Sequence, residues 1–473
     1  MTVDTIVKNA KIVNPWGTYN GDIVIDKGKI VGIVADSGSL QASKKIDAKG
    51  KHVLPGVIDP HTHLNQGTGM PDLQKTEKQA LATETVSAAA GGVTTVMTVQ
   101  YTGGSYFDLH EDAVRTIKSS SMVDVVLNAG IFTERQVEEI PRYASELGIT
   151  AYKWLIPYRE KEARTLGLAN ERGVDDALLW FGLEQISKLG YPTLAMIHAE
   201  NVEIIARLSD KLRSQGRNDL QAYWDARPKF AEKEYMMRSA YLSEVSGARI
   251  YIVHISIGEG VEVIAQAKAR KIQMFGETCS HYLNMTQKDA LRFGNLAKLN
   301  PPLRDKEDVE QLWRGLREGI IDCVGTDHCP HTIESKNRLP SIWECYPGFP
   351  GVATLLPVLL NDGVNKGRIS IEKLTDVLSY RTARIFGLHP KKGSLELGSD
   401  ADLVIVDLDK TVTVTPDLLK SVSDYTLYDG WKFKGWPILT MVRGSVVMED
   451  GEIVGKKGTG DYIPRKLAKD IAA

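Results

Sequence analysis

The stretch GVIDPHTHLN, residues 56–65, is the best starting point for predicting the fold of this protein. It places two histidines directly after a short apolar run. The run HVLPGVID, residues 52–59, has the length and composition of a buried strand. Residues i and i+2 of an extended segment point the same way. His61 and His63 can therefore reach one ligand together from the end of a strand.

Composition limits the classes of protein to consider. A chain of 473 residues is too long for one ordinary core, so we expect a large domain and a smaller one. With 42% hydrophobic and 25% charged residues, it matches soluble globular proteins. A net charge of −2 argues against nucleic acid or acidic lipid as partner. The four cysteines lack regular spacing, which argues against a disulfide framework and favours a location in the reducing cytoplasm. No stretch is typical of a signal peptide or membrane span.

The middle of the chain alternates short apolar runs with segments of helical periodicity. This alternation predicts a (β/α)₈ barrel, which takes about 250 residues or more. The alternative is a doubly wound open sheet, but the glycine-rich dinucleotide fingerprint is absent after the first strand. The eight runs are residues 52–59, 92–100, 122–130, 149–155, 192–198, 249–256, 271–278 and 321–327.

The two ends of the chain share a different pattern of short strands and turns. We therefore predict one small β-sandwich domain built from residues 1–52 and 391–460. The barrel would occupy residues 53–390, and residues 461–473 would form a C-terminal tail.

Potential metal ligands lie within or just after five of the eight runs. In such a barrel the active site lies at the C-terminal ends of the strands. Each residue alone has an ordinary explanation, such as a buried, hydrogen-bonded histidine or a helix cap. Together they predict one metal centre, since all should face the same end of the barrel. They are Asp59 at the end of run one with His61 and His63 just after it, Lys153 in run four, His198 in run five, His254 in run six and Asp327 in run eight. Runs two, three and seven offer no comparable ligand.

Lys153, in AYKWL, needs an explanation of its own. An ammonium group pointing into a dry barrel is costly, so the side chain either faces solvent or loses its charge. An uncharged amine can react with carbon dioxide to give a carbamate, whose two oxygens could bridge metal ions about 3.5–4 Å apart.

These motifs resemble the amidohydrolase superfamily and, more narrowly, its cyclic amidohydrolases: hydantoinases, dihydropyrimidinases and allantoinases. The similarity covers nearly the whole chain. It lies in GVIDPHTHL, IHAEN, KLNPPLRD, GTDHCPH and KKGSLELGSDADLVIVD, while VNKGRIS and ILTMVRGSVV are most similar to hydantoinases.

The resemblance implies a binuclear centre. One divalent metal ion would be held by His61, His63 and Asp327, and the other by His198 and His254. A carboxylated Lys153 and a hydroxide would bridge them. Zinc is the default for histidine-rich sites, with manganese or cobalt as alternatives.

The resemblance also implies two further site residues. Tyr158, five residues past the bridging lysine, would bind substrate and stabilise the oxyanion. Asn300 would contact the substrate ring through its backbone. Asp327 would carry the proton to the leaving ring nitrogen.

The implied activity is hydrolysis of a hydantoin or dihydropyrimidine ring to an N-carbamoyl amino acid. Allantoin is the alternative substrate, and a non-catalytic scaffold protein related to dihydropyrimidinases is a further alternative. Dihydroorotase is disfavoured, because Asn65 replaces the arginine that would bind the substrate carboxylate. By analogy with the family, the protein would be a homotetramer or dimer.

Two cysteines offer other chemistry. Cys329 and His331 could belong to a third metal site, and Cys279 beside His281 could act as a nucleophile. Both ideas are disfavoured, because the first pair lacks further ligands and the metal set makes a covalent mechanism unnecessary.

Overall fold

A computed structural model describes residues 2–64, 73–158, 174–338 and 341–468, with the backbone alone of residues 73–78. Asn65 and residues 66–72 lie outside the described residues. Within the described ranges, none of the helices combines the length and the apolar character needed to cross a membrane.

Two sheets organise the described chain. Their strands are β1 Thr2–Asn14, β2 Gly17–Asp26, β3 Lys29–Val34, β4 Gln41–Asp47, β5 His52–Pro55, β6 Val57–Thr62, β7 Val93–Gln100, β8 Asp124–Gly130, β9 Ala151–Leu155, β10 Leu194–His198, β11 Ile250–Ile252, β12 Met274–Cys279, β13 Cys323–Gly325, β14 Leu403–Thr413, β15 Lys432–Val442, β16 Ser445–Glu449 and β17 Glu452–Ile453.

The strands β6 to β13 form the barrel. They pair in chain order, and every pairing is parallel. The first and last strands approach each other through a parallel bridge between Thr62 and His328, and His63 donates its N–H to the His328 carbonyl at 2.8 Å. The predicted barrel is therefore confirmed, and all eight strand ends point to one opening.

The remaining strands form a mixed sheet from both ends of the chain. Its order is β17-β16-β15-β14-β5-β1-β2-β3, and β4 pairs separately with β1. Its own core includes Ile12, Ile23, Val53 and Ile405. The predicted fold class, a barrel with a small domain assembled from both termini, is confirmed. The exact domain limits stay a prediction.

The first apolar run differs from its prediction as a single strand. Residues His52–Pro55 belong to the mixed sheet, and Val57–Thr62 begin the barrel. Between them, Gly56 donates its N–H to the Asp402 carbonyl at 2.9 Å. A Cβ at Gly56 would lie 2.0 Å from Thr94 Oγ1, so only glycine fits this crossing between the sheets.

Helices follow the barrel strands and cover them. Gly182 allows the helix Asp176–Leu189 to approach β9, because a Cβ there would lie 2.1 Å from the Trp154 ring. The described α-helices are Leu73–Ala90, Phe107–Ser120, Glu134–Arg142, Asp176–Leu189, Val202–Ser214, Leu220–Asp225, Lys229–Ser246, Gly258–Ala269, Gln287–Ala290, Lys306–Arg317, Ile333–Asn337, Leu355–Val358, Ile371–Thr375 and Arg381–Ile385. Wider π turns cover Tyr143–Leu147, Leu359–Asn365 and Asp376–Tyr380, and 3₁₀ turns cover Ser280–Leu283, Leu291–Ala297, Val352–Thr354 and Pro416–Leu419.

The described part of the predicted C-terminal tail, residues 461–468, lies against the barrel. Val125 donates to the Asp461 carbonyl and accepts from the Ile463 N–H, both at 2.9 Å. Because Val125 stands near the start of β8, these contacts lie at the end of the barrel opposite the strand ends that carry the predicted site.

Candidate metal centre

Three predicted ligands meet where the first and last strands of the barrel close. His63 Nε2 lies 2.8 Å from Asp327 Oδ1, and His61 Nε2 lies 3.3 Å from the same oxygen. One donor atom from each of the three residues falls within 4.8 Å of the others. This group of two imidazoles and a carboxylate has the composition and size to hold a metal ion.

A second pair of histidines lies beside the first group. His198 Nδ1, at the end of β10, lies 3.2 Å from His254 Nε2. The rings of His254 and His61 are 5.4 Å apart, so the pair adjoins the first group. A hydrogen bond between these two nitrogens needs one to donate and the other to accept, whereas in the tautomers that leave both lone pairs free the two nitrogens could bind one metal ion together.

Lys153 lies between the histidines and does not face solvent. It is fully buried, and its Nζ lies 2.8 Å from His61 Nε2. Within the described residues it forms no salt bridge. Burial lowers the pKa of Lys153 to about 8, despite the nearby carboxylate of Asp327. The structure therefore favours the buried alternative of the two that the sequence left open.

The outward-facing ring nitrogens of three histidines also have partners. His61 Nδ1 lies 3.2 Å from Glu277 Oε1, and His63 Nδ1 lies 3.0 Å from the Tyr101 hydroxyl. His198 Nε2 lies 2.7 Å from a carboxylate oxygen of Glu200. Histidines that bind metals are usually oriented by such a second contact.

Burial leaves the histidines as neutral donors. It lowers the pKa of His63 to about 4 and lowers the pKa of His61, His198 and His254 as well. Burial alone would raise the pKa of Asp327, but the facing imidazoles of His61 and His63 hold it well below its usual range. A neutral imidazole and an ionised carboxylate are the forms that bind metal.

Two of these residues have strained backbones. His254 has φ 43° and Asp327 has φ 50°, a region that side chains other than glycine rarely adopt. Such conformations cost about 1–3 kcal/mol each and cluster at functional sites.

Asp327 is held in its strained conformation from both sides. The preceding Thr326 donates its hydroxyl to Asp59 at 2.5 Å. The following His328 places Nε2 2.9 Å from Glu84 and accepts a backbone N–H through Nδ1. Asp59, which the sequence placed among the strand-end residues, thus contacts the last strand instead of joining the donor cluster.

The two residues predicted to bind substrate lie side by side. Asn300 Nδ2 donates to the Tyr158 hydroxyl at 3.1 Å. The Tyr158 ring meets the His198 ring edge to face, with centroids 6.0 Å apart. Tyr158 therefore reaches the donor cluster, and its partial exposure leaves it accessible.

Several residues around this cluster were not predicted from the sequence. Glu277 is buried in the seventh strand, where no ligand was expected, and besides its contact with His61 it accepts the His254 backbone N–H at 3.0 Å. Tyr101 follows the second strand. The one sequence signal for Glu277 is the motif GET, which places an acidic residue near the end of a strand. Tyr101 has no such signal.

The two cysteine alternatives have different surroundings. Cys329 Sγ lies 3.4 Å from His331 Nε2, which also contacts the Pro347 carbonyl. Burial raises the pKa of Cys279 well above its usual value, which opposes formation of a nucleophilic thiolate.

The fold and the donor cluster first define a class: a parallel barrel with a cluster of nitrogen and oxygen donors at its strand ends that could hold metal ions. A model of the amidohydrolase family matches residues 231–447. The chain is 35% identical to an L-hydantoinase of Paenarthrobacter aurescens, with 98% of each chain covered. It is 32% identical to an allantoinase of Solibacter usitatus, with 96% of each covered. A solved L-hydantoinase (dihydropyrimidinase) from Arthrobacter aurescens superposes with a TM-score of 0.89 at 34% identity, covering 98% of this chain and all of that one.

The chain belongs to the amidohydrolase family, in the group of hydantoinases, dihydropyrimidinases and allantoinases. The predicted resemblance is confirmed. The family and the donor cluster together indicate divalent metal ions.

Proposed function

We propose that this protein is a metal-dependent cyclic amidohydrolase that opens a hydantoin or dihydropyrimidine ring to give an N-carbamoyl amino acid. The observation that carries the proposal is the convergence of five strand ends on one cluster, with Lys153 Nζ 2.8 Å from His61 Nε2. The relatives named as hydantoinases supply the substrate class.

The donor atoms divide into two sets. His61, His63 and Asp327 would hold one ion, and His198 Nδ1 with His254 Nε2 would hold the other. The histidine-rich donors favour zinc, and manganese or cobalt is compatible with them. The complete set of ligands argues against a non-catalytic scaffold.

Lys153 would link the two sets as a carbamate. The ammonium group first loses a proton, and the neutral amine then adds to carbon dioxide and releases a second proton, so a buried cation becomes an anion with two oxygens. This change suits the site, because the amine faces a histidine donor and has no carboxylate paired with it among the described residues.

Tyr158 and Asp327 would perform the proton and hydrogen-bond steps. The metal ions, when bound, lower the pKa of a coordinated water and polarise the ring carbonyl. Tyr158 donates its hydroxyl to the carbonyl oxygen as negative charge develops there. Asp327 accepts a proton from the attacking water and passes it to the ring nitrogen as the C–N bond breaks. The carbonyl carbon becomes the carboxylate of the ring-opened product, and the backbone at Asn300 would align the ring.

Allantoin remains the second candidate substrate, because allantoinases match the chain at 32–33% identity over nearly its full length. A homotetramer or dimer and a cytoplasmic location stay predictions.

A hydrolysis panel tests the proposal. Metal-replete protein should be incubated with hydantoins of both hands, dihydrouracil, allantoin and dihydroorotate, and metal content should be measured on the same sample. We expect about two ions per chain, ring opening of a hydantoin or dihydrouracil, and loss of both after chelation. Faster opening of allantoin would favour the second candidate. Protein with two ions but no activity on any ring would overturn the proposed function.

A further inference from the structure

The Tyr158 hydroxyl is the end of a chain of three side chains. Tyr223 donates its hydroxyl to Asn300 Oδ1, and Asn300 Nδ2 donates to the Tyr158 oxygen at 3.1 Å. The sequence predicted only a backbone contact of Asn300 with substrate, and it predicted no role for Tyr223. These contacts join three separate parts of the chain: the segment just after β9, the helix Leu220–Asp225 and the segment after the 3₁₀ turn Leu291–Ala297.

The direction of these hydrogen bonds matters for the chemistry. An amide side chain accepts only through its oxygen and donates only through its nitrogen. Because Tyr223 takes the oxygen of Asn300, the amide nitrogen faces Tyr158 and donates to its oxygen. The Tyr158 proton is then left for another acceptor, and a hydrogen bond received by the phenol oxygen makes its own O–H a stronger donor.

Tyr223 is itself held firmly. It is buried, with 5% of its surface exposed, and the Arg227 guanidinium and the Lys298 amine lie 5.1 and 4.7 Å from its ring centroid. The guanidinium cation attracts the aromatic face at this distance, and the amine packs against the ring. The ring has little freedom to turn its hydroxyl away from Asn300.

Arg227, which packs on the Tyr223 ring, is also connected to the histidine cluster. Arg227 Nη1 donates to a Glu200 oxygen at 2.7 Å, and that oxygen lies 2.7 Å from His198 Nε2. The Tyr158 ring in turn packs against the His198 ring. The contacts thus form a closed ring of side chains that begins and ends at Tyr158. This ring fixes the Tyr158 hydroxyl relative to the candidate metal ligand His198.

We infer that Tyr223 and the side chain of Asn300 are positioning residues for Tyr158, which set the direction of its proton toward the carbonyl of the ring substrate. This inference rests on the proposed function, in which Tyr158 stabilises the developing oxyanion. It assigns Asn300 a side-chain role in addition to the backbone contact expected from the family.

A double-mutant cycle tests the inference, with kcat and KM measured on hydantoin, or on allantoin if the protein opens it faster. Tyr158→Phe should lower kcat by about 10²-fold. Tyr223→Phe should lower kcat by roughly three- to tenfold, the effect of one neutral hydrogen bond, with KM nearly unchanged. In the Tyr158→Phe background the same Tyr223 change should lower kcat by less than about twofold, because its effect passes through the missing hydroxyl.

Tyr282→Phe is the matched control. Tyr282 is also a buried tyrosine, and its hydroxyl donates to the Pro301 carbonyl at 2.5 Å, next to Asn300 but outside the chain of side chains. Any effect of this change should be the same in both backgrounds. Melting temperature and metal content should be recorded for every variant, so that folding and metal loss are separated from positioning.

Asn300→Asp provides a second variant of almost unchanged shape. A carboxylate only accepts, so Tyr158 would donate into it and lose the proton meant for substrate. We expect a larger fall in kcat than for Tyr223→Phe.

Multiplicative effects of the Tyr158 and Tyr223 changes, or normal kcat in Tyr223→Phe or Asn300→Asp, would overturn the inference while leaving the proposed function intact. Normal kcat in Tyr158→Phe would overturn the oxyanion role and this inference together.

Discussion

Two buried charged clusters lie at opposite ends of the barrel, and they differ in how their charges are satisfied. At the strand ends, His61, His63 and Asp327 bring three donor atoms within 4.8 Å of one another. At the strand starts, Asp124 does the same with Asp400 and Asp402, which come from the GSDADL segment. By composition and spacing alone, either group could hold a cation.

The carboxylate cluster is already filled by side chains of the protein. Lys392 is 1% exposed, and its Nζ lies 2.7, 3.1 and 2.5 Å from Asp124, Asp400 and Asp402. Arg443 pairs with Asp124, and Lys29 pairs with Asp400, so three cations face three carboxylates. This cluster ties the barrel to the small domain.

Among the described residues, the histidine cluster contains no comparable pairing of lysine or arginine with carboxylates. Its lysine faces a histidine nitrogen, and two of its imidazole nitrogens face each other. The comparison teaches that donor composition alone does not identify a metal site, because the carboxylates already have cations of the protein as partners, whereas neutral imidazoles still offer lone pairs that an ion could use. Four predictions test it, beginning with the largest expected effect.

Asp327→Asn should keep the fold and lower kcat by several orders of magnitude. The change removes a metal ligand and the group that carries the proton, and general acid–base catalysis alone contributes roughly 10²–10⁴-fold. Steady-state kinetics with elemental analysis checks this. An active variant with normal metal content would refute the role of Asp327.

Lys153→Ala should lose most of the second metal ion and nearly all activity. Millimolar acetate or propionate should restore part of both, because a small acid can take the place of the carbamate.

Lys153→Arg is the control, and acids should not rescue it, because the guanidinium stays charged and fills the space. Intact mass should show about 44 Da of acid-labile addition in the unmutated protein. Full activity and two ions in Lys153→Ala without added acid would show that the bridging assignment is wrong.

Lys392→Met should lower the free energy of unfolding by about 3–5 kcal/mol, since it leaves buried carboxylates without their shared cation. Lys29→Met, whose side chain is 43% exposed, should cost less than about 1 kcal/mol. Urea unfolding measures both. The metal content of folded Lys392→Met should stay normal, and a loss of metal there would remove the contrast between the two clusters.

Glu277→Ala should weaken metal binding by roughly 10–100-fold, because it removes the acceptor shared by the His61 ring and the His254 backbone. Glu277→Gln keeps an oxygen at that position and should retain most of the affinity. Competition with a chelator of known affinity gives both values. Equal affinities in the two variants would mean that the acceptor does not orient the ligands.

The sequence by itself determined the barrel and the small domain from both termini, and it predicted the six residues that we propose as metal ligands. Each depends on short-range pattern: the spacing of apolar runs, and polar residues placed where a strand ends. A parallel barrel brings all strand ends to one opening, so ligands such as His198 and Asp327 could be assigned to one site without knowing any distance.

Only the tertiary structure decided which buried groups support that site and which satisfy each other. Glu277, Tyr101 and Tyr223 come from separate strands or helices, and their hydrogen bonds depend on barrel closure and side-chain direction. The pairing of Lys392 with Asp124 spans 268 residues, so no local pattern could reveal it. The same holds for the division of the run HVLPGVID between two sheets, because Gly56 is needed only where Thr94 comes close from the neighbouring strand. Distance along the chain is the physical reason, since contacts between remote segments exist only after the whole barrel has formed.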